Sequence, residues 1–308
     1  MSEARLAESA LGAYLGLAVG DALGATVEFM SPEQISEVHG IHRRMIGGGW
    51  LNLPAGAVTD DTQMSLALGD ALIAAGGFDM QRVAESFARW LRNRPVDCGA
   101  TCRRGIRRFM RDGSLASPPD PNGAGNGALM RNLPLVLACL GDDAAFERCT
   151  LAQCHFTHNH PESDAAALSL GHITASLVRG EALHTALRWA DRLVETYPVF
   201  AHVDYRGRAS AYVVDTVRTV LWNFRSGHDF ADTLIATVNR GDDADTTGAL
   251  VGMLAGARFG WRAIPPVWLK RLDRRVRSAI ETQVTALLAL AHGEAVQEAA
   301  AELEGRRA

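Results

Sequence analysis

Two runs of glycine constrain this chain more than any other feature of its sequence. Gly12, Gly16, Gly20 and Gly24 are spaced by four, and so are Gly248, Gly252, Gly256 and Gly260. Both runs lie in segments whose apolar residues recur every three to four positions, the period of a helix. Glycine in a helix interior costs up to about 1 kcal/mol relative to alanine, so eight of them need a structural return. Residues at i and i+4 share a face. Each run therefore makes a bare stripe that lets another backbone approach closely, and tight packing is the plainest reason for it. Each stripe also lies beside an acidic motif, so the same packing can draw distant carboxylates together.

The helical period runs through most of the sequence, and β-branched alternation is nearly absent. Helices are expected near 4–25, 60–75, 79–93, 100–111, 127–140, 143–156, 162–178, 181–196, 208–225, 230–238, 246–259 and 272–292. The fold class this implies is all-α, one compact domain of about a dozen helices. No Ser/Gly- or Pro-rich linker divides 1–308, so the core is expected over roughly 10–292, with a frayed Ala/Glu-rich tail at 293–308. Two loops stand out: 40–58, with Gly47-Gly48-Gly49-Trp50, and 113–127, with three prolines before Asn122-Gly123-Ala124-Gly125-Asn126-Gly127. Long loops inside compact domains are more often functional than idle.

A net charge of −4 and a sequence pI near 6.2 argue against wholesale nucleic-acid binding, which needs a basic excess. The N-terminus carries Glu3, Arg5 and Glu8 and lacks a signal-peptide layout. The best candidate span, 10–27, is interrupted by Asp21 and rich in glycine. A soluble cytoplasmic protein with no direct membrane insertion is expected. Five cysteines, an odd number without CxxC spacing, read as reduced thiols packed as small hydrophobes.

Thr59-Asp60-Asp61-Thr62 precedes one apolar helix and Asp243-Ala244-Asp245-Thr246-Thr247 another. A helix cap explains one Asp or Thr at such a place, but not two carboxylates and a hydroxyl at both. Hard oxygen donors in this number suit Mg²⁺ or Mn²⁺, and two clusters could hold two ions. A metal site and two capped helices both stand open on spacing alone. His155, His158 and His160 lack the HExxH spacing and read as surface or supporting histidines, with His158 the one to face a substrate. Arg103, Arg104, Arg107, Arg108 and Arg111 give one helix a basic face, which is either solvated or docks an anionic partner. No GxSxG elbow, P-loop or Rossmann fingerprint is present.

Together, Gly20-Asp21-Ala22-Leu23-Gly24 with Glu28, Thr59-Asp60-Asp61-Thr62, Gly125-Asn126-Gly127-Ala128 and Asp243-Ala244-Asp245-Thr246-Thr247-Gly248 resemble the ADP-ribosylglycohydrolase family over about 10–292. Arg94-Pro95-Val96-Asp97, Thr101-Cys102-Arg103-Arg104-Gly105 and Thr157-His158-Asn159-His160-Pro161 resemble the branch that removes ADP-ribose from an arginine of nitrogenase iron protein. The resemblance implies that Thr59, Asp60, Asp61, Asp243, Asp245 and Thr246 ligate two Mg²⁺ or Mn²⁺ ions that bind ribose hydroxyls. It makes Glu28 and Asp97 the carboxylates at the scissile carbon. Gly123, Gly125, Asn126 and Gly127 would offer backbone N–H groups to the pyrophosphate, with His158 facing the substrate and Tyr212 on the adenine.

The implied reaction is hydrolysis of the N-glycosidic bond to arginine in an ADP-ribosylated protein. A PII signalling protein is the implied partner that recruits the enzyme to the inner membrane. Hydrolysis of ADP-ribosyl-serine, poly-ADP-ribose or O-acetyl-ADP-ribose on the same scaffold, and non-catalytic ADP-ribose binding, are the competing readings. A binuclear phosphohydrolase would carry several histidine ligands that the two clusters lack. The sequence departs from the family pattern twice, with Asp242 where glycine is expected and Ala100 where asparagine is expected. Asp97 itself has two readings, a proton-transfer group or a cap on the helix that begins near Gly99.

Overall fold

The apolar period becomes fourteen α-helices in the computed structural model, which describes residues 2–293. The expected tail therefore lies, from 294 on, outside the described residues. The first five are α1 (Glu3–Gly24), α2 (Pro32–His39), α3 (Asp60–Ala75), α4 (Met80–Arg92) and α5 (Ala100–Asp112). Then come α6 (Leu133–Ala138), α7 (Asp143–Thr157), α8 (Pro161–Val178), α9 (Leu183–Thr196) and α10 (Val213–Ser226). The last four are α11 (Phe230–Val238), α12 (Ala244–Phe259), α13 (Pro266–Arg271) and α14 (Arg274–Ala291). Among the described residues β pairing is limited to two isolated bridges, Gly48 with Leu53 and Gly125 with Tyr212.

The glycine stripes belong to α1 and α12, and the stripes face each other. Gly12 meets Gly256, Gly16 meets Gly252, Gly20 meets Gly248 and Gly24 meets Ala244, an antiparallel register without slip. A Cβ on Gly248 would stand 2.7 Å from the Gly20 carbonyl oxygen, and one on Gly16 would stand 2.8 Å from the carbonyl carbon of Gly252. Gly260 has its carbonyl carbon against Gly12 and ends α12 at φ 80, a left-handed conformation that favours glycine. Both helices are buried almost all round, as an all-apolar helix must be. Helices α3, α8, α10, α11 and α14 pack around the pair, and a single apolar cluster joins them. Helix α1 is long and apolar enough to cross a membrane, but 78% of that window is buried inside the protein.

The helices that periodicity misses are α2 and α13. Both start at a proline, and α2 carries a capping box in which the Ser31 side chain accepts from the Gln34 N–H, a local signal present in Ser31-Pro32-Glu33-Gln34. The helix expected at 127–140 shrinks to α6. Asn126 and Asn132 are instead held by hydrogen bonds to the buried Thr216 and Thr150, which fix an irregular segment before it.

The antiparallel register sets the site. It lays the C-terminal end of α1 beside the N-terminal end of α12, so Asp21 and Glu28 come to Asp243 and Asp245. Asp21 then recruits α3, accepting from the Thr59 N–H at 2.9 Å, the Thr62 N–H at 3.1 Å and the Thr62 hydroxyl at 2.6 Å. The N-termini of α3 and α12, the positive ends of their dipoles, both open onto this acidic end.

Candidate active site

Seven carboxylates converge here: Asp21, Glu28, Asp60, Asp61, Asp97, Asp243 and Asp245. Six are at most 8% exposed, and Asp97 is half-buried. Thr59 and Asp243 stand at the N-cap positions of α3 and α12, yet neither side chain makes a cap hydrogen bond. Capping thus does not account for either motif. Both turn inward: the Thr59 and Thr246 hydroxyls each donate to the same Asp61 oxygen at 3.3 Å. Asp61 Oδ1 is buried and accepts no hydrogen bond.

The remaining donors are protein-held. Asp60 accepts from the Gly99 N–H at 3.1 Å, and Asp245 from the Thr246 N–H at 2.9 Å. Asp243 accepts from the Asn126 side-chain amide at 2.5 Å, and the same amide donates to Thr216. Glu28 accepts from the Trp50 indole N–H at 2.6 Å. Ligand oxygens of Glu28, Asp97 and Asp245 lie within 4.8 Å of one another.

Among the described residues none of the seven is in an ion pair. The buried Arg131 directs its guanidinium to Gln153 and Thr157 instead. Burial first, then repulsion among neighbours, pushes the Glu28 carboxyl up to about 8 and Asp60 to about 7. Asp21 rises to about 6 by burial, against the pull of its Thr62 and Thr59 hydrogen bonds. Asp61 and Asp245 are pushed well above the carboxylate range by the same causes. Buried like charges without a countercharge are strongly unfavourable. An all-oxygen donor set with one orphaned carboxylate oxygen fits hard divalent cations, and the residues present match that chemistry.

The catalytic carboxylates expected from the sequence fall in the same place. Asp97 is no helix cap: Gly99 holds that position in α5, and among the described residues Asp97 accepts only from the neighbouring Cys98 N–H at 2.7 Å. Glu28 is followed by Phe29 at φ 63, and Asp242 is at φ 52. These two left-handed residues are tied together, Phe29 N–H to the Asp242 carbonyl at 2.6 Å and Asp242 N–H to the Met30 carbonyl at 2.9 Å. That backbone shape explains why glycine suits position 242. The Asp242 carboxylate pairs with Arg208 at 2.9 Å and is not among the seven, so this departure adds no charge to the cluster. Ala100, the other departure, is exposed at the pocket wall.

The cluster floors a pocket of about 260 Å³ whose walls include Trp50, Asp97, Gly125, Asn126, Gly127 and His158. A second cavity of about 540 Å³, bordered by Pro121, Asn122 and Tyr212, shares Thr101, Gly125 and Ala211 with it. The shared residues join the two into one cleft. Tyr212 is 41% exposed there, its hydroxyl donating to Glu162 at 2.9 Å. The glycine loop differs from expectation. The Gly123, Gly125 and Asn126 N–H groups already donate to the carbonyls of Asp120, Gly123 and Ala211, because the loop folds on itself and bridges to Tyr212. Those three amides are therefore not an open cradle for an anion.

The three histidines separate. His155 pairs with Asp164 at 2.8 Å, and His160 accepts from the Glu162 N–H. Of the three, His158 reaches the pocket of the acidic cluster, its Nδ1 against the Thr157 hydroxyl at 2.8 Å. Burial, then Arg131 and Arg104, push its pKa down to about 3, so it presents a neutral ring. Sequence reasoning did not assign Asp21, Trp50 or Phe29. An aspartate inside a glycine-striped apolar helix was the available signal for Asp21. For Trp50 it was the run Gly47-Gly48-Gly49, all at positive φ, which folds back on Leu53 and carries the indole over Glu28.

With that geometry in place, the comparisons are specific. Residues 2–301 match the ADP-ribosylglycohydrolase family. The chain is 54% identical over 284 residues, 92% of its length and 97% of the relative's, to the ADP-ribosyl-[dinitrogen reductase] glycohydrolase of Rhodospirillum rubrum. It is 32% identical to the ADP-ribosylarginine hydrolase Tri1 of Serratia proteamaculans, over 89% of this chain and 78% of that one. A solved chain titled ADP-ribosylglycohydrolase-related protein complex superposes with TM-score 0.82 at 34% identity, covering 94% of this chain and 99% of that one. A buried acidic floor, an adjoining cleft and these matches over nearly the full length make the chain a member of the ADP-ribosylglycohydrolase family.

Proposed function

We propose that this glycohydrolase releases ADP-ribose from an ADP-ribosylated arginine of a folded protein, with dinitrogenase reductase as its target. The observation that carries the reading is the buried, uncompensated carboxylate cluster at the end of a cleft large enough for a nucleotide sugar. The 54% identity to a relative named for action on dinitrogen reductase supports the target, and the Tri1 relatives named for ADP-ribosylarginine support the linkage. Work in the cytoplasm belongs to the same proposal.

Thr59, Asp60, Asp61, Asp243, Asp245 and Thr246 would hold two Mg²⁺ or Mn²⁺ ions. Such ions, when bound, orient ribose hydroxyls and acidify a bound water. The chain's own part is positioning and proton transfer. Asn126 fixes Asp243, Trp50 fixes one oxygen of Glu28, and the Cys98 N–H fixes one oxygen of Asp97. Glu28 and Asp97 both line the pocket, and the other oxygen of each accepts no hydrogen bond from a described residue, which leaves these two carboxylates free to move a proton. In the reaction the C1–N bond breaks and water supplies the hydroxyl at C1. One of the two carboxylates takes the water proton and the other, protonated, gives its own to the departing guanidine, so the pair's proton count is unchanged. Neutral His158 and the ring of Tyr212 would seat the phosphate and adenine ends of the substrate.

The test is release of ADP-ribose from an ADP-ribosyl-arginine protein, with Mn²⁺ and with chelator. Metal-dependent release is expected. Turnover of ADP-ribosyl-serine peptide or O-acetyl-ADP-ribose with none on arginine would overturn the linkage. Tight ADP-ribose binding without turnover of any of them would overturn the activity.

A further inference from the structure

Positions 80 to 113 carry nine arginines against three acids, in a chain whose net charge is −4. This stretch forms α4, the turn through Asp97, and α5, and the two helices pack on each other. Helix α5 buries Cys102, Gly105 and Ile106. Its outward face carries Arg103, Arg107 and Arg111 at successive i, i+4 positions, with Arg104 beside them, all exposed. Helix α4 adds exposed Arg82, Arg89 and Arg92, and Arg94 follows.

Like charges at i, i+4 repel along a helix, and Arg103 in the first turn of α5 opposes its dipole. Little within the fold offsets this. Arg104 reaches Asp120 at 3.3 Å and Arg111 reaches Asp112 at 2.7 Å, both pairs largely in water. Among the described residues, Arg82, Arg89, Arg92, Arg94, Arg103 and Arg107 form no ion pair. Between α4 and α5 runs a groove of about 380 Å³, with Arg89 and Arg92 on its wall and Ala88, Phe109 and half-exposed Met110 along it. Glu85 is the acid at its rim, engaged by Gln81 at 2.8 Å.

The position of this face gives it meaning. Gly99, Ala100, Thr101 and Cys102, where α5 begins, line the catalytic pocket, and Arg103 donates to the Cys98 carbonyl beside Asp97. From that mouth α5 extends about 20 Å at 1.5 Å per residue. A protein docked over the mouth covers about 800 Å² of this surface, a patch roughly 30 Å across. Whatever protein presents its modified arginine to Glu28 and Asp97 must therefore also cover the first turns of the arginine face.

We propose that the α4–α5 face docks an acidic surface of the protein that bears the ADP-ribosylated arginine, so that target choice rests on charge around the arginine as well as on the ADP-ribose. This rests on the arginine-linked protein substrate proposed above. Charges at a docking rim act chiefly on encounter and register, and they weaken with salt.

The test uses the metal-loaded full chain and a triple variant, Arg89→Glu, Arg92→Glu and Arg107→Glu, none of which lines the catalytic pocket. Three substrates are compared: free ADP-ribosyl-arginine, and ADP-ribosyl-arginine peptides flanked either by Asp/Glu or by Ser/Gly. The wild type should prefer the acidic peptide by about tenfold or more in kcat/KM at low ionic strength, and lose that preference in high salt. The triple variant should lose the preference and turn over free ADP-ribosyl-arginine like the wild type. A wild type indifferent to the flanks, or a triple variant that keeps the preference, would overturn the docking role. A DNA duplex bound by the wild type and released by the variant, with no peptide preference, would assign the face to nucleic acid and overturn it as well. Failure of the wild type on free ADP-ribosyl-arginine itself would instead strike the activity, and the docking proposal would fall with it.

Discussion

Replacing Gly24 by alanine tests whether close backbone contact between α1 and α12 builds the site. The new Cβ would run into the Ala244 carbonyl and stand 2.6 Å from Asp245 Cα, where ordinary contact begins at 3.4 Å. The two chains must therefore part by at least about 0.8 Å, and neither neighbour can rotate away because both are backbone. Gly12→Ala is the control. Its Cβ would stand 2.7 Å from the Trp261 backbone nitrogen, at the opposite end of the same helix pair, about 18 Å along the helix from Gly24. Overpacking costs about 1–3 kcal/mol, less up to about 1 kcal/mol of helix propensity gained, so each variant should lose about 1–2 kcal/mol. With unfolding entropy near 2.1 cal/mol/K per residue over 308 residues, that is a fall in Tm of about 2–3 °C. The two should differ at the site. Shifting Asp245 by most of an ångström approaches the 1 Å misplacement that costs about a hundredfold in rate, whereas Gly12→Ala leaves Asp245 in place. Thermal unfolding, Mn²⁺ calorimetry and ADP-ribose release separate the effects. Wild-type stability and Mn²⁺ affinity in Gly24→Ala, or equal loss of affinity in both variants, would refute the argument.

Three further outcomes are expected. Asp97→Asn should lower turnover by about 10²–10⁴-fold, the scale of a lost general acid or base, with circular dichroism and Tm unchanged because Asp97 caps no helix; near-normal turnover would leave the proton to Glu28. Tyr212→Ala should weaken ADP-ribose binding by roughly ten- to hundredfold, since stacking on a base is worth about 1–3 kcal/mol, and calorimetry showing an unchanged Kd would remove the adenine contact. The metal-free protein should lose stability with rising pH. Glu28, Asp60 and Asp21 have folded pKa values of about 8, 7 and 6, above the roughly 4 of unfolded carboxylates, so the folded state binds their protons more tightly. Their contribution is then fully present below pH of about 4 and is lost as pH climbs towards 8. Unfolding with chelator at about pH 5.5 and 8.5 should show the higher Tm at the lower pH; a Tm that rises with pH would contradict it.

Much of the site was legible because its donors sit in short local motifs. Thr59 to Thr62 and Asp243 to Thr247 each place several oxygens within one turn, more than a helix cap uses. Spacing left capped helices and a metal site both open; that neither Thr59 nor Asp243 caps its helix, and that both motifs turn inward onto Asp61, is a matter of side-chain direction, which a one-dimensional pattern does not carry. The glycine loop shows the converse. Its composition suits an anion cradle, but whether its amides are free depends on Asp120 and Ala211, the latter more than eighty residues from Gly125 in sequence. The cap reading of Asp97 stood open until the start of α5 was fixed at Gly99.

By itself the sequence determined the all-α class, through a 3.6-residue period that no strand can satisfy, and it determined that two helices would carry bare faces, through glycine every fourth position. It could not say that those faces meet each other, because a stripe records only that some backbone comes close. The antiparallel register of α1 on α12 was decided by tertiary packing, and with it the gathering of Asp21, Glu28, Asp243 and Asp245 at one end of the pair. Likewise Trp50 reaches Glu28, and the arginines of α4 and α5 gather beside the pocket, only once the chain has folded. Charge and hydrogen-bonding capacity are properties of residues; which oxygens are left buried without a partner is a property of the packed structure.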